Sequence, residues 1–346
     1  MLRQIIFAVI AGLLMVTARA QETNYIQTLS DISTMLSDPE TADFSKAVFM
    51  TENAFFEGKL DEIGFEENIK LYASICKSII TAGNIEYTEK DRDIAAAQCA
   101  TFVFMTDTVP IYVGNDLVGC IPFQYNHDDF AGQNDWSNMF VSKLMETNRG
   151  NCHSLPYLYK LIMDELGYES HLALAPNHIY IKAMNKKVGW YNIELTCGDF
   201  PADAWYAASG YIHTDAIRNG IYMRALSQKE AIAMTLVDLA QGYQAKFGIG
   251  NGDFMINCCD TALNYFPGYI NAKLLKAEIL SFLYQQAETE STEKKNLFIQ
   301  MNKLYTDIHQ SGYRKMPRKM YDNWINSLNA KERNQEVKAI LNPRTK

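Results

Sequence analysis

Residues 150–196 read GNCHSLPYLYKLIMDELGYESHLALAPNHIYIKAMNKKVGWYNIELT. After a turn at residues 148–151, apolar side chains recur three and four positions apart as far as Leu166, and Gly167 follows as a helix stop. Short runs with the composition of strands come next, at residues 171–175, 178–184 and 189–196. This stretch predicts one helix followed by strands that return on each other in hairpins.

Cys152 lies at the start of the predicted helix. Unpaired backbone N–H groups and the positive end of the helix dipole favour a thiolate at this position, and the thiolate is the nucleophilic form of cysteine. Pro156 cannot donate a helical hydrogen bond, so either the helix begins nearer Ser154 or its first turn is distorted. The alternative interpretation of Cys152 is a buried or disulfide-bonded residue.

His178 and Glu194 are predicted to face each other across a hairpin. If the loop is centred on Lys186, residue 178 pairs with residue 194, and directly opposed β-carbons lie about 4.5–5.5 Å apart. The carboxylate then accepts from one imidazole nitrogen and leaves the other to take the thiol proton, which is the arrangement of acyl-transfer enzymes. A slip of one residue would turn Glu194 to the opposite face of the sheet. Taken singly, a strand histidine is more often structural and a strand glutamate more often half-exposed.

Three motifs resemble those of the transglutaminase-like superfamily, namely GNCHS at 150–154, PNHIY at 176–180 and WYNIELT at 190–196. The resemblance implies a papain-like fold, in which a cysteine-bearing helix packs against an antiparallel sheet that carries the histidine and the acid. It implies a nucleophile at Cys152, a base at His178 and an orienting carboxylate at Glu194. Many members have aspartate as the acid, so Glu194 departs from the commoner pattern and keeps the chemistry.

The chain is also similar to the branch of this superfamily in which the core follows a helical region and precedes tetratricopeptide-type helices. Residues that fit one such repeat are Leu239, Ala240, Tyr243, Ala262 and Pro267. In that branch the nucleophile position is often not cysteine. The alternative function is therefore a catalytically inert scaffold that binds protein or peptide partners.

An oxyanion hole would need the backbone N–H of Cys152 and one further donor. Candidates for that donor are Gln133, Asn134 and Asn151. Each is equally compatible with an ordinary turn. Aromatic residues that could line a substrate groove, or pack in the core instead, are Trp136, Trp190 and Tyr191.

Helical periodicity extends on both sides of this core. The division predicted along the chain is a signal peptide at 1–20, an N-terminal helical region with a structured loop at 21–130, the transglutaminase-like core at 131–226 and helical repeats at 227–346. Helices are predicted at residues 65–81, 91–104, 135–146, 229–247, 253–266, 270–286, 297–310 and 320–328. The predicted fold class is α+β, with a papain-like core between two helical regions.

Residues 1–20 have the organisation of a signal peptide. Arg3 precedes an apolar run at residues 5–16, and Ala18 and Ala20 are small residues of the kind that flank a cleavage site. The run is shorter than the roughly 20 apolar residues that a membrane span needs. We expect cleavage near Ala20, export to a periplasm or secretion, and no membrane span in the mature chain.

Composition restricts the partners and cofactors. The net charge of −8, without a Lys/Arg cluster, argues against nucleic acid as a partner. Seven cysteines in an exported chain favour disulfides and leave at least one thiol unpaired, while adjacent Cys258 and Cys259 are expected to pack inside a helix. Residues 127–129, His-Asp-Asp, are interpreted as acidic loop surface because ligands at zinc-like spacing are missing. Neither a cofactor nor a metal is expected.

The sequence thus predicts an exported cysteine enzyme that acts on amide bonds of a peptide or protein substrate through a Cys152 thioester. Water as the second substrate gives hydrolysis, and an amine gives transamidation. The helical repeats are expected to bind a protein partner.

Overall fold

The structure, a computed structural model, describes residues 22–83, 86–320 and 323. The signal peptide predicted for residues 1–20 lies outside these residues, as does most of the helix predicted for 320–328. Described residues are mostly helical with a smaller share of strand, which makes the chain an α+β protein.

The elements, in chain order, are numbered as follows. The helices are α1 (22–37), α2 (Phe44–Phe55), α3 (Glu62–Ala82), α4 (Arg92–Thr106), α5 (Val141–Thr147), α6 (Ser154–Glu165), α7 (Asp203–Ser209), α8 (Thr214–Arg218), α9 (Gln228–Phe247), α10 (Asp253–Tyr265), α11 (Ile270–Gln286) and α12 (Thr292–Gln310). The strands are β1 (Val109–Val113), β2 (Asp116–Cys120), β3 (Gln124–Tyr125), β4 (Arg149–Gly150), β5 (His171–Ala175), β6 (His178–Asn185) and β7 (Gly189–Ile193).

The chain forms two compact units. Unit 1 joins the described residues up to Glu62 with Gln228–Ile308, and unit 2 joins Ile63–Ser227 with the described residues from His309 onward. Each unit therefore combines segments that are distant along the chain, whereas the division predicted from the sequence follows the chain order.

Unit 1 is built from helices. The most buried of them, α9, packs against α2 and α10, and its residues 231–240 are buried. The helices predicted at 229–247, 253–266 and 270–286 are confirmed as α9, α10 and α11. Cys258 and Cys259 are buried inside α10, as expected.

Helix α12 begins at Thr292, earlier than the predicted start at residue 297. In the structure, the Ser291 hydroxyl accepts a hydrogen bond from Lys294 N at 3.0 Å. Such a capping bond satisfies an orphan N–H group and starts the helix before its apolar face begins.

Unit 2 contains a three-stranded antiparallel sheet in the order β5-β6-β7. The strands predicted at 171–175 and 178–184 are confirmed, and the third ends at Ile193, before the predicted residue 196. The loop predicted before the core holds an exposed hairpin of β1 and β2, followed by β3, which pairs in parallel with β4. That parallel pair fixes the chain directly before Cys152.

The predicted register of the β6–β7 hairpin is wrong by two residues. The structure pairs Lys182 with Asn192 and Asn185 with Gly189, so the loop is centred on residue 187 and not on Lys186. Gly189 has a φ of 78°, a backbone conformation that favours glycine, and it follows a three-residue turn at 186–188 that lies one residue later than predicted. Because side chains alternate with a period of two, a shift of two residues keeps His178 and Glu194 on the same face.

The single helix predicted at residues 135–146 is interrupted. A short 3₁₀ helix, Trp136–Met139, precedes α5, and Phe140 between them is extended with φ −94° and ψ 145°. The side chain of Phe140 is only 3% exposed. Its burial is a tertiary contact, which periodicity along the chain does not reveal.

Helix α6 begins at Ser154, the first of the two alternatives that Pro156 left open. Pro156 is then the third helical residue, where the missing N–H would have no partner inside the helix anyway. Cys152 consequently lies in the turn before the helix. Asn151 caps the helix, since its Oδ1 accepts from His153 N at 2.9 Å and from Ser154 N at 3.1 Å.

Candidate active site

Cys152, His178 and Glu194 come together at one end of the sheet in unit 2. His178 is the first residue of β6, and its Nε2 lies 2.6 Å from Glu194 Oε2. The Cys152 thiol contacts the carbonyl of Asn177, the residue before His178, with 3.9 Å between sulfur and oxygen. It also interacts with the His178 ring and stabilises its charged form. The three residues therefore form one contiguous group.

Burial differs sharply within this group. The side chains of His178 and Glu194 are 0% and 1% exposed. Cys152 is half-buried and reaches solvent from the turn before α6. The arrangement presents a thiol at the surface with a hydrogen-bonded acid–base pair behind it.

The carboxylate of Glu194 is fully engaged. Oε1 accepts from Thr196 N at 3.1 Å and from the Thr196 hydroxyl at 2.7 Å, and Oε2 accepts from the Tyr206 hydroxyl at 2.7 Å. The backbone of Glu194 is held by a pair of hydrogen bonds to Asp199. A buried carboxylate with this many donors is held ionised and in one orientation.

Electrostatics favour a charged pair. Burial disfavours the imidazolium, but the Glu194 charge and the hydrogen bonds that the ring makes with Cys152 and Glu194 outweigh it and raise the pKa of His178 from 6.5 to about 10. Burial likewise raises the pKa of Glu194, yet the His178 charge and the bonds from His178, Thr196 and Tyr206 lower it overall. Two opposite charges thus stabilise each other in a site that neither would tolerate alone.

Tyr206 is a residue that the sequence analysis missed. It lies on α7, which is held over the sheet because Asp203 accepts from Lys182 Nζ at 2.6 Å and from Asn192 Nδ2 at 2.8 Å. Its ring stacks on Tyr180 with 4.1 Å between centroids. Because the contact is tertiary, no local pattern signals it. Thr196 stood in a quoted motif, and only the structure shows its two bonds to Glu194.

The three residues predicted as the second donor of an oxyanion hole differ in burial and in hydrogen bonding. The Asn151 side chain is buried and fully used, since its Nδ2 donates to Phe130 O at 2.8 Å while its Oδ1 caps α6. Asn151 is therefore a structural cap and not a free donor. Gln133 and Asn134 are exposed, and their backbone N–H groups donate to Asp129. Among the described residues, the backbone N–H of Cys152 has no acceptor, so it remains available to bind an oxyanion.

Asp129 organises the loop that was interpreted only as acidic surface. Its carboxylate accepts from the backbone N–H groups of Gln133, Asn134 and Asp135 and from the Asn138 amide at 2.8 Å. These bonds outweigh the effect of burial and lower the pKa of Asp129. The carboxylate thereby shapes the loop that leads to Trp136.

Trp136 and Trp190, the tryptophans predicted to line a substrate groove or pack in the core, lie in different environments. Trp190 is 52% exposed and packs edge-on against His171. It lies four residues before Glu194 on the same chain segment, about 13 Å away at strand spacing, so it does not line the triad. Trp136 is half-buried, and its indole nitrogen is buried without an acceptor among the described residues. Tyr191 donates to Gln98 Oε1 at 2.7 Å and packs toward α4.

Three further observations concern redox state, metals and membranes. Cys76, Cys99, Cys120, Cys152, Cys258 and Cys259 carry free thiols. Within residues 22–83 and 86–320, no group of three or more His, Cys, Asp or Glu side chains is placed to hold a metal ion. Over that same part of the chain, no helix combines the length and the apolar character that a membrane crossing requires.

Comparisons with known proteins add little to this geometry. No protein-family model and no curated protein matches the chain. A solved structure with some similarity is the crystal structure of menin that reveals its binding site for the Mixed Lineage Leukemia protein. It is 11% identical and covers 84% of this chain and 70% of menin, with a TM-score of 0.33. A likeness of that size carries no argument about fold or function.

The buried pair predicts a specific pH dependence of stability. Because the pKa of His178 is raised from 6.5 to about 10, its contribution is complete below pH 6.5 and is lost as pH rises through about 10. We expect Glu194→Gln to lower the free energy of unfolding by about 3–5 kcal/mol near pH 6.5 and by much less near pH 10. Urea unfolding followed by tryptophan fluorescence measures this, since Trp136, Trp190 and Trp205 belong to unit 2.

The matched control is Glu146→Gln, which removes one partner of the exposed ion pair with Lys143. An exposed pair contributes about 0–1 kcal/mol, so this variant should show little loss at either pH. An equal penalty for Glu194→Gln at both pH values would contradict the assigned charge state.

The hydrogen bond from Tyr206 to Glu194 predicts how the alkylation rate of Cys152 depends on pH. Removing its hydroxyl with Tyr206→Phe takes one donor from Glu194, so the pKa of Glu194 should rise. The acid limb of the Cys152 alkylation rate should then move to higher pH, because the carboxylate protonates earlier during acidification. Tyr191→Phe removes a hydroxyl from the same sheet at Gln98 and should leave the limb in place. Identical profiles for the two variants would exclude a positioning role for Tyr206.

Proposed function

We propose that the chain is a cysteine enzyme of the transglutaminase-like class, with a papain-like core, that acts on amide bonds through a thioester at Cys152. The observation that carries this proposal is the buried His178–Glu194 pair, 2.6 Å apart, beside a half-buried thiol at the start of α6. Nucleophile, base and orienting acid are the three parts that acyl transfer by a cysteine requires.

In the proposed reaction, the proton of the Cys152 thiol resides on the ring nitrogen of His178 that faces away from Glu194, so the sulfur attacks beside an imidazolium that carries both ring protons. The sulfur attacks the carbonyl carbon of the amide, and the resulting oxyanion accepts a hydrogen bond from the backbone N–H of Cys152. The imidazolium then protonates the leaving amine, the C–N bond breaks, and a thioester remains. Water or an amine then attacks the thioester carbonyl and gives its proton to His178. The C–S bond breaks, the acid or the new amide leaves, and Cys152 and the His178 imidazolium are restored.

Glu194 stays ionised throughout this cycle. Its two oxygens are held by Thr196 and Tyr206, so it orients the ring and stabilises the imidazolium without taking the proton itself. Two free donors would make a complete oxyanion hole, and Asn151 is not one of them because both ends of its amide are already bonded.

The remaining elements of the proposal come from the sequence. We propose export through residues 1–20 and a tetratricopeptide-like role for the helices of unit 1, which would bind a protein or peptide partner. A cavity of about 280 Å³ between α11 and α12 supports a binding role for these helices. Its lining residues are Lys276, Leu280, Gln300, Lys303, Leu304 and Asp307.

An inert scaffold is the competing function, and the cavity in unit 1 is the observation that favours it. A scaffold does not need a reactive thiol, whereas Cys152 is free, reaches solvent and faces a charged histidine. These features support the enzyme over the scaffold.

Alkylation of the intact protein with iodoacetamide tests the enzyme function. Cys152 should react about 100-fold faster than Cys99 and Cys120 at neutral pH, a factor typical of a positioned base. Burial raises the pKa of both comparison thiols, which slows them, whereas Cys99 is exposed, so reagent access does not limit its rate. Peptide mass spectrometry separates the rates at each cysteine.

His178→Ala should bring the Cys152 rate down to that of Cys99. His171→Ala is the matched control, since His171 is half-buried in the same sheet and its Nδ1 is hydrogen-bonded to the Leu226 carbonyl, away from Cys152. If Cys152 reacts no faster than Cys99, or if the two histidine variants behave alike, the enzyme function is wrong.

A further inference from the structure

Residues 311–320 fold back onto unit 2 after α12 ends. The amide of Asn219 donates to Gln310 O at 3.3 Å and to Ser311 O at 3.1 Å. We call residues 312–320 the strap. Its beginning is therefore fixed by hydrogen bonds beside α8.

Gly312 fixes the strap a second time. Its φ is 90°, and an added β-carbon would lie 2.6 Å from Asp215 C and closer still to Ala216 N. Both are backbone atoms of helix α8, so they cannot move aside cheaply. Only glycine permits this approach of strap and helix.

Met316 is the third anchor. It is 8% exposed and packs against Phe130 and Trp205. The carbonyl of Phe130 holds the amide of Asn151, the neighbour of Cys152. Trp205 precedes Tyr206, which donates to Glu194. Met316 thus bridges the loop on the nucleophile side and the helix on the acid side of the triad.

We propose that an acyl donor reaches Cys152 between the Phe130 loop and α7, and that the strap closes one end of this path and restricts the donor to small amides and chain termini. This inference rests on the proposed function. A polypeptide in an open groove passes the nucleophile and continues on both sides. The strap spans the Phe130 loop and α7, and it therefore stops the polypeptide on one side of Cys152. The donor must end at the strap. Loops inside folded proteins, which have no end to offer, are excluded as donors.

The strap makes a prediction about reagent size at Cys152. The intact protein is labelled with iodoacetamide, which is small, and with a maleimide that carries a polyethylene glycol chain. Met316→Ala removes the bridging side chain, and Gly312→Ala forces the clash with Ala216. In both variants the ratio of bulky to small labelling at Cys152 should rise about tenfold, the change that one unfavourable packing contact produces.

Two controls separate the strap from general loosening. Gly167→Ala carries the same positive-φ strain, at φ 83°, with open space around the β-carbon, so the ratio should stay unchanged. Met316→Leu preserves an apolar side chain of similar volume and should also leave it unchanged. Circular dichroism confirms that each variant is folded.

The outcomes distinguish the strap from the enzyme function. If folded Met316→Ala and Gly312→Ala proteins keep the original ratio, the strap does not limit access and the inference is wrong. If iodoacetamide labelling at Cys152 does not depend on His178, the enzyme function fails instead. A rise in the ratio with Gly167→Ala as well would assign the effect to loosening and overturn the inference.

Discussion

The contact between His178 Nε2 and Glu194 Oε2 is the interaction on which the site depends. Both side chains are almost completely buried, and removing two charges from water costs several kcal/mol per ion unless they are paired and hydrogen-bonded. Thr196 and Tyr206 supply the remaining donors to the carboxylate. The network therefore fixes the ring of His178 in one orientation, and Cys152 approaches its other side from the turn before α6.

Hydrogen bonds between distant parts of the chain keep this network in place. The Asn151 amide ties the nucleophile turn to Phe130, and Asp203 ties α7 to the sheet through Lys182 and Asn192. The Glu194 backbone is closed onto Asp199. Each of these hydrogen bonds holds a different part of the site, so the Cys152 thiol stays near solvent while His178 and Glu194 remain buried. Such a division suits a nucleophile, which must reach a substrate, and a base, which must stay oriented.

The sequence predicted the elements that repeat apolar residues at regular spacing. Helices α9 to α11 and strands β5 and β6 lie within one residue of the predicted bounds, and Cys152, His178 and Glu194 lie together. Features that depend on tertiary contacts were not predictable in this way. The turn at Gly189 shifted the β6–β7 register by two residues, burial of Phe140 interrupted a helix, and the donors to Glu194 come partly from α7. The role of Asn151 changed from oxyanion donor to cap because its partners are set by the fold.

Nitrogen-15 NMR of the His178 ring in the intact protein tests the central claim most directly. The account predicts a ring that keeps both protons through neutral pH and titrates near 10, because Glu194 and Cys152 hold its charge. Glu194→Gln should lower the pKa of His178 toward the ordinary value of 6.5, since the Glu194 charge no longer offsets burial. A ring that titrates near 6.5 in the unaltered chain, with no response to Glu194→Gln, would contradict the account.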